Sequence, residues 1–183
     1  AARYGSYGIA SSSFGYSGFG TDENSGLQFN DWWQYNPSTN SWQQKLSYPG
    51  VARTYPAGFY INGKIYLGIG QTLTSVLDDF NSYDETSNTW TSEQSFPNGG
   101  RWVASSFAIN DNGYISAGGD FGGNPAYNDL WEFSPDSLTS DSIICVTIKP
   151  DATKGKDAHV LSGLPALNVE PHQEMLAVSW TCM

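Results

Sequence analysis

Asn30-Asp31-Trp32-Trp33-Gln34-Tyr35-Asn36-Pro37, Asp78-Asp79-Phe80-Asn81-Ser82-Tyr83-Asp84 and Asn128-Asp129-Leu130-Trp131-Glu132-Phe133-Ser134-Pro135 are three copies of one pattern. From Asp31 to Asp79 is 48 positions, and from Asp79 to Asp129 is 50. A self-similarity of that period marks a repeat architecture, in which no unit buries its apolar face alone and each must stack on its neighbours. Other landmarks keep the register: Trp42 and Trp90; Arg3, Arg53 and Arg101; Tyr16, Tyr66 and Tyr114; Gly20, Gly70 and Gly118.

The middle copy resolves into four strand-like runs, at residues 57–61, 64–69, 79–83 and 89–93. Between the first two stands Asn62-Gly63, a two-residue hairpin turn of the kind that needs positive φ at both positions. A loop at 71–77 and a turn at 84–88 separate the others. Four antiparallel strands per unit, repeated, predict propeller blades.

The unit resembles a kelch repeat. The matching marks are Arg53, Ala57-Gly58-Phe59, the hairpin Ile61-Asn62-Gly63-Lys64-Ile65-Tyr66, Gly68 and Gly70, Tyr83-Asp84 and Asn88-Thr89-Trp90. The resemblance covers roughly residues 3–141 and implies an all-β fold: a partial kelch-type β-propeller of three four-stranded blades over residues 1–141. The sequence departs from that repeat at its double glycine, which is intact only at Gly118-Gly119; the other copies read Gly18-Phe19-Gly20 and Gly68-Ile69-Gly70.

Closed propellers usually have about four to eight blades, so three do not complete one. The register from Trp90 also puts Ser140 where a fourth-strand tryptophan belongs. Two arrangements fit: a segment of a longer chain, or two copies completing a six-bladed ring. Either way the outer faces around residues 7–19 and 103–115 are expected to contact another chain, with residues 143–148 supplying the missing fourth strand of the third blade.

Beyond residue 141 the aromatic and glycine density falls, and Ile143-Ile144-Cys145-Val146-Thr147-Ile148 reads as a buried strand. Lys149-Pro150-Asp151-Ala152-Thr153-Lys154-Gly155-Lys156-Asp157-Ala158-His159-Val160 resembles the opening of a DNRLRE-type domain, a β-sandwich module of secreted multidomain proteins. Residues 142–183 are therefore expected to be the truncated start of a second β-domain. Cys145 and Cys182 both lie in this tail. A disulfide between them would close a loop of about 38 residues, stabilising the tail by up to about 4 kcal/mol; two free thiols fit the sequence equally.

The net charge of −10, with only eight scattered Lys and Arg, argues against a nucleic-acid partner, because phosphates must be met by clustered cations. No run of eighteen apolar residues is present, so no membrane insertion is expected. His159 and His172 both lie in the tail, and the three repeats contain neither His nor Cys. They therefore offer no imidazole base or transition-metal ligand, and no cofactor is expected. The resemblance brings to mind copper radical oxidases built on kelch propellers, yet those need histidine and a tyrosine–cysteine cross-link on the propeller. Acidic pairs such as Asp22-Glu23, Asp78-Asp79 and Asp84-Glu85 miss the calcium-loop spacing. Asp31, Asp79 and Asp129 recur, which points to a structural role, capping backbone N–H groups at a loop-to-strand junction. Arg3, Arg53 and Arg101 are read in the same way, as buried partners of carboxylates or carbonyls.

Residues that break the repeat are the candidates for function. Trp102 takes the slot of Tyr4 and Thr54, and the third copy's loop carries Asp120, Phe121, Asn124 and Tyr127; residues 21–29 are its counterpart in the first copy. Aromatic faces beside Asp and Asn suit sugar or peptide recognition. The expected role is a non-catalytic binding or scaffolding module of a secreted or cell-surface protein, with a protein or carbohydrate ligand. The alternatives are a fragment of a kelch-propeller sugar oxidase or epimerase whose active site lies elsewhere, and a structural subunit that assembles through open blade edges.

Overall fold

The computed structural model describes residues 2–123, 125–135 and 179–183. Its strands, in chain order, are β1 (Arg3–Tyr4), β2 (Tyr7–Ala10), β3 (Gly15–Gly18), β4 (Thr21–Asp22), β5 (Trp32–Asn36), β6 (Ser41–Gln44), β7 (Ala57–Ile61), β8 (Lys64–Gly68), β9 (Phe80–Asp84), β10 (Thr89–Ser92), β11 (Ser105–Ile109), β12 (Asn112–Ser116), β13 (Leu130–Ser134) and β14 (Ser179–Cys182). They form four antiparallel sheets: the pair β1-β4, and three four-stranded meanders ordered β2-β3-β5-β6, β7-β8-β9-β10 and β11-β12-β13-β14. The described residues contain no α-helix, only a 3-10 turn at Phe121–Gly123.

Local chemistry sets the reversals. Asn62 and Gly63 both take positive φ (49° and 81°), the pair of left-handed residues that a two-residue hairpin requires. In the third sheet Asn110 and Asp111 do the same. Between β9 and β10 the Asp84 carboxylate accepts the backbone N–H groups of Thr86 and Ser87, and Asn36 does so for Ser38 between β5 and β6.

Alternation along the strands gives each sheet two faces, and the three large sheets stack through them. One core lies between the first and second sheets, around Tyr16, Trp32, Tyr48, Ile65, Leu67 and Tyr83. The other lies between the second and third, around Phe59, Phe80, Phe96, Phe133 and Trp180. The middle sheet is thus buried on both sides. Cross-sheet bonds reinforce the stack: Tyr7 Oη donates to the Gly58 carbonyl (2.6 Å) and Tyr16 Oη to Glu85 Oε2 (3.0 Å).

One ion pair per repeat pins the loops to the strands. Arg3, Arg53 and Arg101 each fork onto the carboxylate of Asp31, Asp79 and Asp129, with the closest contacts at 2.6, 2.7 and 2.6 Å. Each also donates to a carbonyl 16 residues ahead, that of Phe19, Ile69 or Ala117. Those three residues sit at positive φ (62°, 48° and 56°) and are followed by Gly20, Gly70 and Gly118, also positive. The turn is therefore the same in all three copies, double glycine or not. A side chain at positive φ is strained; here the strain turns a carbonyl toward the guanidinium. The arginines are partners of carboxylates and carbonyls as expected, and the carboxylates are structural, but their main donors are not backbone N–H groups: Asp31, Asp79 and Asp129 accept guanidinium forks, and Asp31 and Asp129 also take the indole N–H of Trp33 and Trp131. Burial disfavours the charged form of both, but the bonds from arginine and indole outweigh it and hold these two carboxyls below the usual carboxylate range.

A second correction concerns the tail. The fourth strand of the third sheet is Ser179–Cys182, where residues 143–148 had been expected. Trp180 pairs with Phe133 as Trp42 pairs with Tyr35 and Trp90 with Tyr83. The tryptophan absent at Ser140 is thus supplied 40 positions later, because burying its ring among Phe59, Phe80, Phe96 and Phe133 completes the second core. The end of the segment assigned to a second domain (142–183) therefore belongs to the third sheet. The strand expected at 143–148, the DNRLRE-like stretch, Ser140, Cys145 and both histidines lie outside the described residues, and with Cys145 the disulfide reading. Cys182 is half-buried against the second core.

Candidate binding cleft

At one end of the stack, each repeat turns from its arginine into a small loop held by two or three antiparallel rungs. The rungs are Arg3–Tyr4 paired with Thr21–Asp22 and Thr21 with Gln28; Thr54 with Gln71 and Gln71 with Val76; Trp102 with Gly119 and Gly119 with Ala126. The three loops meet there. Gln28 Nε2 donates to the Gln71 carbonyl (3.3 Å), joining the first loop to the second. Between them lies a cleft of about 270 Å3, lined by Tyr4, Thr21, Gln28, Thr54, Gln71, Thr72, Leu73, Trp102, Phe121 and Gly122.

Trp102 forms a wall of this cleft and also borders a shallower recess with Val103, Gly118, Gly119 and Ala126. Its indole N–H is spent on the Asp120 carbonyl (3.0 Å), and Tyr55 meets its ring edge-on with centroids 5.4 Å apart. The ring plane is thereby fixed while the side chain stays half-buried. Next to it, Val103 sits at φ 54°, an outlier for a β-branched residue. Gly5 takes the equivalent position at φ 64° without that cost, and Tyr55 shares it at φ 53°.

Trp102 and Phe121, singled out from sequence, do meet at the cleft. Asp120 lies behind it: the carbonyl holds Trp102, and the carboxylate caps the Phe121 N–H at 2.6 Å. Tyr127 is turned elsewhere, its ring 4.4 Å from the Arg101 guanidinium, as Phe29 stacks on Arg3 at 4.1 Å. Asn124 lies outside the described residues. Sequence reasoning missed Tyr4, Gln28, Gln71, Thr72 and Leu73. The signal was the register itself, since Tyr4, Thr54 and Trp102 share one slot and Leu73 stands 48 positions before Phe121.

The described residues of the lining offer aromatic faces, hydroxyls and amides, with no Asp, Glu, Lys, Arg or His among them. No group of three or more His, Cys, Asp or Glu is placed to hold a metal among the described residues. No helix there is long and apolar enough to cross a membrane.

The architecture defines an all-β protein of stacked antiparallel sheets. No protein-family model matches the chain, and no curated protein matches it. Among solved structures it is similar to that of YjhT, with a TM-score of 0.60 and 20% sequence identity over 72% of this chain. The matched part spans 48% of the YjhT chain.

Proposed function

We propose that the chain is a run of kelch-type propeller blades acting as a non-catalytic binding module, and that the cleft around Trp102 takes a neutral carbohydrate. Three four-stranded meanders stacked in chain order, one Arg–Asp pin per repeat and the fold similarity to YjhT support the propeller part. The observation that carries the ligand class is the lining: a fixed indole face and Tyr4 for stacking on a sugar ring, with Gln28, Gln71 and Thr72 for its hydroxyls, and no charge to demand a counter-ion. The setting in this reading is extracellular or the cell surface.

The test is titration with neutral oligosaccharides, read by calorimetry and by Trp fluorescence. Binding is expected to weaken at least about tenfold in Trp102→Ala, equivalent to roughly 1.4 kcal/mol. A cleft that binds no neutral glycan at millimolar concentration, or one indifferent to Trp102→Ala, sinks the reading. Preference for a peptide over every glycan would transfer the site to protein recognition.

A further inference from the structure

Among the described residues, two faces of the stack have no neighbour. On the first sheet the strand register puts Gly15, Tyr35 and Trp42 on the side away from the second sheet. Trp42 is 56% exposed there, whereas its counterpart Trp180 is fully buried. On the third sheet Phe107 and Ile109 face outward, 42% and 52% exposed, whereas their counterparts Phe59 and Ile61 are at 2% and 3%. End faces of a repeat stack must be covered or made polar to stay soluble; these carry exposed aromatic and aliphatic side chains, with one carboxylate, Glu132, beside Phe107 on the third sheet, where it accepts hydrogen bonds from Tyr114 Oη and Asn112 Nδ2.

The two open faces are the halves of an interface that the chain already contains. Between the second and third sheets the Phe59 ring lies over Gly113, so closely that a Cβ there would collide with the ring. Phe59 also meets the Phe133 and Trp180 rings, with centroids 5.4 and 6.2 Å away. Between the first and second sheets the same two positions are Ile9 and Ile65, a pair of middle-sized residues in one core cluster. On the open faces they are Phe107 and Gly15. The large ring is again matched to glycine, and the nearest atoms to a Cβ on Gly15 are those of Tyr35 at 3.7 Å, leaving the hollow free. Tyr35 and Trp42 flank it, as Phe133 and Trp180 flank Gly113.

We propose that two copies of this chain pair head to tail, the third sheet of each seating on the first sheet of the other, with Phe107 of one copy over Gly15 of the other. Such an interface is heterologous, so it yields a closed ring only if the rotation closes. We take the number as two, the count at which matched parts that each span 48% of the YjhT chain add up to nearly all of it. This inference rests on reading the sheets as propeller blades, and not on the glycan cleft.

Sedimentation of the 183-residue chain at micromolar concentration tests it. The expected species is twice 19.9 kDa. Phe107→Asp and Gly15→Trp, which spoil opposite faces, are each expected to run as folded monomers, with circular dichroism as the folding control. Mixed together they are expected to form a one-to-one pair, since the intact third sheet of the Gly15→Trp copy still fits the intact first sheet of the Phe107→Asp copy. A folded monomer of the unaltered chain overturns the pairing while leaving the stacked sheets and the cleft standing. So does a dimer that survives Phe107→Asp, a mixture that does not pair, or open-ended or precipitating material, which a closed pair with both faces covered would not form.

Discussion

Removing the three fourth-strand tryptophans one at a time separates sequence equivalence from structural environment. Trp180 is fully buried and touches Phe59, Phe80, Phe96 and Phe133 at ring-centroid distances of 4.9–6.2 Å. Trp180→Ala leaves a cavity walled by aromatic rings that cannot all collapse into it, at a cost of about 3–5 kcal/mol. For a chain of this length that lowers Tm by roughly 6–20 °C. Trp90 is half-buried against Trp32, Tyr48 and Tyr83, and its indole N–H bonds the Leu46 carbonyl at 2.9 Å, so Trp90→Ala falls in between. Among the described residues Trp42 has one ring contact, Tyr35 across the strand at 5.1 Å, and within a single chain Trp42→Ala is expected to cost about 1 kcal/mol or less. Urea denaturation followed by circular dichroism, at concentrations dilute enough to keep chains apart, measures the series. If Trp180→Ala costs no more than Trp42→Ala, the strand Ser179–Cys182 does not complete the third sheet and the second core is wrongly drawn.

Asp129→Ala strands the fully buried Arg101 guanidinium and is expected to cost about 3–5 kcal/mol, whereas Arg101→Met combined with Asp129→Leu removes both charges and costs far less; additive single and double variants in a urea-midpoint cycle would contradict the pairing. Asp31 and Asp129 hold folded-state carboxyls below the unfolded value of about 3.9. Their stabilisation is therefore fully present above that pH and is lost as pH falls through the folded values. The urea midpoint should drop in acid below about pH 4, with a shallower slope in Asp31→Asn/Asp129→Asn, and an unchanged slope would refute the assignment.

Period and turn chemistry made most of the fold legible. Asn62-Gly63 announces its hairpin, and the spacing of Arg53, Asp79 and Trp90 against their counterparts locates equivalent strands without any structure. Two things stayed hidden. The recurring arginines announce carboxylate or carbonyl partners, but nothing in the spacing says which ones; that is set by the left-handed turn at Phe19, Ile69 and Ala117, where local propensity runs against the observed φ and burial of Phe19 and Ile69 overrides it. The fourth strand of the third sheet was invisible for a different reason. Ser179-Trp180-Thr181 copies Thr89-Trp90-Thr91 almost letter for letter, yet it stands 40 residues out of register, and a search by period cannot see past an insertion.

The same register also separates the residues that hold the scaffold from those left for recognition. The Arg–Asp fork and its left-handed turn recur in every copy, with a further bond to the carboxylate from Trp33 or Trp131 in the first and third copies and from Tyr48 Oη in the second, so these residues are consumed by folding. The slot after the arginine is not. It holds Tyr4, Thr54 and Trp102, three side chains of different size at one backbone position, all reaching one cleft. Asp120 shows why a break in the repeat is an incomplete guide: its carboxylate caps a turn and its carbonyl orients Trp102, so it acts on the cleft through a neighbour. Gln28 and Gln71 show the converse. Nothing in their chemistry sets them apart in the sequence, and only the meeting of three loops from three repeats turns two ordinary amides into walls of a site.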